Sequence, residues 1–170
     1  PLARLHALWT LDGLDALEPA VVRQAMRDEE PRIREHAVRM AEGFLQELGS
    51  AAVARISDSD ARVRFQVAMT LGKITGNHRP LAQLAASDGE DPWFRAAIVN
   101  AAGSRALQVL TRMLVRHREF FAEPAEGNRE MVSQLARSIG VRGNSNDLTM
   151  LLITLDGSPI LARPEWLQAT

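Results

Sequence analysis

The chain has 170 residues, 46% apolar and 24% charged, with a formal net charge of −1 and no cysteine. That length and mixture belong to a folded domain with its own core and not to a disordered tail. The charge gives no overall pull towards phosphate backbones or anionic lipid, and the missing thiols exclude a disulfide, a cysteine nucleophile, a Cys-based zinc site and covalent haem attachment within this segment.

The chain opens at Pro1, without methionine and already inside a repeated pattern, so a fragment of a longer protein is expected, with any targeting signal outside it. No apolar run approaches the ~20 residues that span a bilayer, so no membrane insertion is expected. The first copy of the pattern, Pro1–Gly13, is followed by copies at Asp28–Gly43, Asp60–Gly72 and Asp91–Gly103. Their arginines Arg4, Arg34, Arg64 and Arg95 are spaced by 30, 30 and 31 residues, a period of stacked repeats.

Counted from the proline position, apolar or small residues fall at offsets two, six, nine and ten, which is helical spacing. They are Ala3, Ala7, Thr10 and Leu11; Ile33, Ala37, Met40 and Ala41; Val63, Val67, Thr70 and Leu71; and Phe94, Ile98, Ala101 and Ala102. Proline in the first turn, acidic residues before it, and Gly13, Gly43, Gly72 and Gly103 behind it act as start and stop signals. Shorter helical stretches are expected between the copies: 18–27 with Val21, Val22, Ala25 and Met26; 50–56 with Val53 and Ile56; 79–86 with Leu81, Leu84 and Ala85; and 105–117 with Leu107, Leu110, Met113 and Leu114. Neither helix of a pair hides its stripe alone, so the pairs must stack.

Between His117 and Gly127 the register slips around an insert with Phe120, Phe121 and Pro124. The aromatic pair is read as a plug between differently set repeats, in preference to a recognition loop. A fifth long helix is expected over 128–140 with Met131, Leu135 and Ile139 inward, but Val132 stands where an arginine would. A helix over 147–155 follows, then a break at Gly157-Ser158-Pro159 and a short cap from Pro164. The expected organisation is one repeat domain over 1–170, regular to 103 and divergent beyond, with a C-terminal cap.

Two residue columns are candidates for function. Arg4, Arg34, Arg64 and Arg95 could form an anion-binding ladder, but the matching period of Asp28, Asp58 and Asp88 favours a structural one, with guanidiniums on acidic turns and turn carbonyls. Opposite the apolar stripe, offsets four and eight carry Leu5 and Trp9, Glu35 and Arg39, Phe65 and Met69, Ala96 and Asn100. This face should be wet, and its apolar members make it either a docking surface or a sign that the helices rotate to bury them. His6, His36, His78 and His117 read as surface histidines, since equivalent positions one repeat apart are roughly 10 Å distant. No catalytic motif appears, and neither cofactor nor metal is expected.

The pattern Asp-x-x-x-Pro-x-Val-Arg-x-x-Ala-x-x-x-Leu-Gly resembles HEAT-like repeats over about residues 1–140. The resemblance implies an all-α, right-handed solenoid of about four to five helix pairs, with the arginine on the second helix of each pair. Residues 1–13 then look like a half-repeat whose apolar face meets an upstream element. A rigid, non-catalytic scaffold for proteins or neighbouring domains is the implied function, with no nucleic acid as partner.

The words Leu5–Leu11, Arg32–Ala37 and Val63–Gln66 further resemble the HEAT segment of large multidomain planctomycete-type proteins. There a propeller-shaped dehydrogenase-like domain precedes and a cytochrome c domain follows, which implies an exported or periplasmic spacer in a redox protein whose haem and substrate chemistry belong to the neighbours. Two alternatives are HEAT-like enzymes. A DNA-base glycosylase-like module would want a basic concave face, where the inner columns offer only Arg39; a bilin lyase-like module would need a pigment-sized pocket.

Overall fold

Three of the predicted starts carry proline in the first helical turn, where its missing N–H leaves no bond unmade, and acidic residues before the helices take the free N–H groups behind them. In the computed structural model, which describes residues 1–76, 78–117, 119–122 and 124–156, Glu30 accepts from the Arg32 N–H at 3.4 Å and Asp60 from the Arg62 N–H at 2.9 Å. Asp91 accepts from both the Trp93 and Phe94 N–H groups, at 2.8 and 3.1 Å. The helices that result are α1 (Leu2–Gly13), α2 (Pro19–Ala25), α3 (Pro31–Met40), α4 (Leu45–Val53), α5 (Ala61–Leu71), α6 (His78–Asp88), α7 (Pro92–Ala102), α8 (Ala106–Arg116), α9 (Glu119–Ala122), α10 (Glu126–Arg142) and α11 (Ser145–Asp156). Among the described residues there is no strand.

The chain divides into two compact units, Pro1–Gly76 and Asn77–Thr170, so the division falls inside the stretch read as regular repeats. In the first unit α2 packs on α3 and α4 on α5, while α3 contacts both α1 and α5. In the second, α6 packs on α7 and α8, α10 lies against α7 and α8, and α11 rests on α8 and α10. Offsets two, six, nine and ten are buried throughout α3, α5 and α7, from Ile33 to Ala102. Burying a side chain the size of Ile33 or Leu71 is worth roughly 2 kcal/mol, so these stripes supply the main drive for stacking. Thr70 stays buried because its hydroxyl donates to Glu42 Oε1 at 2.8 Å.

The helix expected over 50–56 begins earlier, at Leu45, and its core residues are Leu48, Gly49 and Ala52; Val53 and Ile56 are only half-buried. Gly49 therefore lies on the buried side of α4. Of the four glycines read as stop signals, only Gly103 takes a positive φ, +48°. Phe120 and Phe121 are buried and meet edge to face with centroids 5.0 Å apart, which fills space inside the second unit. Val132 is buried in α10. The expected break at Gly157-Ser158-Pro159 and the cap from Pro164 lie outside the described residues.

Candidate protein-interaction face

The arginine column is built from the helix side. Arg34, Arg64 and Arg95 each sit one turn into their helix, next to the acidic turn that precedes it. Arg34 donates from Nε to Asp58 Oδ2 at 2.8 Å and from Nη2 to Asp58 Oδ1 at 2.7 Å, a two-pronged pair. Its Nη1 donates to the carbonyls of Asp28 and Glu29, at 2.9 and 3.0 Å. Side-chain exposure is 11% for Arg34 and 3% for Asp58, so the pair is dry enough for its loss to matter. Arg64 repeats the carbonyl grip on Asp58 and Ser59, at 2.8 and 3.3 Å, and Arg95 on Gly89 and Glu90, at 3.1 and 2.7 Å. Arg4 pairs only with carboxylates, through Nε and Nη2 to Asp28 at 3.0 Å and Nη2 to Glu29 at 3.6 Å, and half of its side chain is exposed. Asp88 accepts from the Ser87 hydroxyl at 2.8 Å.

Burial pushes the Asp58 carboxyl up, but hydrogen bonds from Arg34 and the Asp60 N–H more than reverse it and hold it below the usual carboxylate range. Asp28 is held low in the same way, burial being outweighed by the Glu30 N–H and Arg4. Arg34 is pushed up by the Asp58 carboxylate. These guanidiniums are spoken for by the protein itself, and the column reads as a brace.

The second column presents a different chemistry. On α1, α3 and α5 of the first unit, Leu5, Glu35 and Phe65 are half-buried, Arg39 is exposed, and Trp9 and Met69 are 36% and 44% exposed. The Trp9 ring meets His36 edge-on with centroids 5.6 Å apart, and the Arg39 guanidinium lies 5.5 Å from the Trp9 ring centre. Among the described residues no carboxylate pairs with Arg39, whereas Arg32 lies 3.9 Å from Glu35, and Arg62 and Lys73 hold Asp60 and Glu42 at 3.3 and 2.6 Å. The face expected to be wet is thus partly closed, because neighbouring second helices cover each other's flanks. Ala96 and Asn100 are exposed on α7 of the second unit.

The sequence pattern puts His36 among the surface histidines, yet it is half-buried against Trp9 and its Nδ1 is enclosed without a hydrogen-bond partner. A helical wheel of α3 alone carries no sign of this, since the contact comes from α1. Among the described residues no group of His, Asp or Glu converges as a metal site, and no helix is long and apolar enough to cross a membrane.

Paired helices, buried offset stripes and arginine-braced turns define the class: an all-α protein of stacked helical hairpin repeats. A family profile of HEAT repeats matches residues 19–103, half of the chain, and the chain belongs to that family. Its fold is that of HEAT helix pairs, a family that generally serves as non-catalytic protein-interaction scaffold. Neither the curated proteins nor the solved structures yield a match.

Proposed function

We propose that this segment is a non-catalytic scaffold that engages protein through the face of α1, α3 and α5. The observation that carries the reading is the exposed Trp9 capped by Arg39, a guanidinium without a carboxylate among the described residues, with Leu5 one turn away on α1 and Phe65 and Met69 further along on α5. Such a patch suits a partner segment that brings one apolar side chain and one acidic group, the pairing of aromatic and arginine anchors common at interface centres. A photo-crosslinker placed at position 9 and, separately, at Arg23 on α2 tests it in the source cells. Crosslinks formed from position 9 alone, and lost on Arg39→Glu, are expected; matching products from both positions would overturn the reading.

The setting proposed for this scaffold is a longer exported redox protein, where it spaces a dehydrogenase-like domain from a cytochrome c domain. The likeness of Leu5–Leu11, Arg32–Ala37 and Val63–Gln66 to such HEAT segments supports it. Reading the gene a few hundred codons on either side is the test. Finding neither a propeller nor a Cys-x-x-Cys-His sequence there would remove the setting and leave the scaffold untouched.

A further inference from the structure

Between α6, α8 and α11 of the second unit lies a groove of about 480 Å³ that opens to solvent. Its long wall is α8, whose lining residues fall into two adjacent rows. Leu107, Thr111 and Val115 make a mainly apolar row, and Gln108 and Arg112 make a polar one that Arg116 extends by a turn. Members of a row are four residues apart, so each stands about 6 Å from the next and both rows run for roughly 12 Å. Met150 of α11 adds to the apolar lining. Leu107 is buried, while Val115 and Met150 are 52% and 53% exposed, apolar surface that the fold leaves bare.

The polar row is not used by the fold. Arg95, Arg105 and Arg129 of the same unit donate to backbone carbonyls. Arg112 is half-buried, yet neither it nor Gln108 nor Arg116 has a hydrogen-bond or ion-pair partner among the described residues. His78, at the start of α6, brings an imidazole to the same groove. The acid in the lining is Asp147, which sits in the first turn of α11 and makes no ion pair with Arg112. A chain with a net charge of −1 thus gathers uncompensated guanidinium beside bare apolar surface.

We infer that this groove receives a peptide segment of a partner protein that carries a large apolar side chain within one turn of a carboxylate. The apolar group rests on Leu107, Val115 and Met150, the carboxylate takes a two-pronged bond from Arg112, and Arg116 takes a second acid one turn further along. An apolar edge and a cationic edge that repeat side by side fit a peptide, because its side chains repeat as well. Duplex nucleic acid would meet Asp147 and an apolar wall where it needs a continuous cationic one. The seat uses other helices than the α1, α3 and α5 face and is filled independently of it.

Selection of a random dodecapeptide display library on the full chain carrying Arg39→Glu tests this, since that change removes ligands of the α1, α3 and α5 face. Enriched peptides are expected to place Asp or Glu within one helical turn of Leu, Ile, Phe or Trp. In fluorescence anisotropy they should bind Arg112→Glu about tenfold or more weakly, and versions with Lys in place of the acids should bind that variant again. Arg116 is exposed, so Arg116→Glu leaves the fold alone, and a weakening of about threefold is expected there too. Enriched peptides without acids, binding unchanged in both variants, or a library that yields no binder would each overturn the proposal. Binding seen only after Trp166→Ser would assign the groove to residues 157–170 of the chain itself, and self-association abolished by Arg112→Glu would assign it to a second copy; either result overturns the proposal equally.

Discussion

The two units hold helix pairs of one family by different means. In Pro1–Gly76 the second helices are clamped by charge, with Arg34 spanning from its own turn carbonyls to Asp58. In Asn77–Thr170, Arg95 keeps the carbonyl grip, while its Nε is enclosed without a partner. No side chain fits at position 127 in the first turn of α10: a Cβ on Gly127 would come within 2.7 Å of the Glu90 carbonyl oxygen and 2.7 Å of Arg95 Nη1. Close backbone approach, a buried Val132 and the Phe120–Phe121 pair take the place of the charge clamp. A repeat can therefore exchange an ion pair for shape, provided the neighbouring element moves in to fill the volume.

The largest effect should come from the second unit. Phe121→Ala removes a side chain only 2% exposed and leaves a void beside Phe120, which is expected to cost about 4 kcal/mol. Urea unfolding measures it, and a loss under ~1 kcal/mol would show that the aromatic pair is not what secures this unit. In the first unit Arg34→Met is expected to cost about 3 kcal/mol, because it strands the buried Asp58 carboxylate. The matched change Arg95→Met forfeits only carbonyl contacts and should cost about 1 kcal/mol. Equal losses at the two arginines would erase the distinction between the units.

Acid should separate them as well. Asp28, Asp58 and Asp60 all have folded values held below the ordinary carboxylate range, Asp60 first of all by its bond from Arg62. A depressed carboxylate contributes stability that is fully present above its unfolded value of ~3.9 and is lost as pH falls through the lower folded value. The carbonyls that Arg95 holds do not titrate. Amide exchange followed below pH 4 is thus expected to accelerate in α3 and α5 before α7 and α10, and the reverse order would contradict the charge clamp.

The stripes of α3, α5 and α7 were readable from spacing because a helix has one period and one buried side. Spacing failed where a residue's role depends on a second element. Spacing starts α4 at residue 50, but it begins at Leu45, with Gly49 buried inside it and Ile74 3.8 Å from where that glycine's Cβ would be. Leu5, Glu35 and Phe65 sit opposite their own stripes and are still half-covered by the adjacent second helices. The same blindness hid His36 behind Trp9, and the cluster of Glu42 with Gln66, Thr70 and Lys73, which lie 24 to 31 residues beyond it.

The smallest effect is expected at the other arginine–aspartate pair of the first unit, and its smallness is informative. Arg4 reaches Asp28 with bonds of 3.0 Å, much like Arg34 on Asp58, so bond length alone would assign both pairs the same worth. Solvent decides otherwise. With the Arg4 side chain 50% exposed, water screens the attraction, and an exposed pair contributes under ~1 kcal/mol. Arg4→Met should therefore lower stability by about 0.5 kcal/mol, against the roughly sixfold larger loss at Arg34. A loss at Arg4 as large as that at Arg34, measured by the same unfolding curves, would mean that the clamp works through its bonds alone and that burial adds nothing to it.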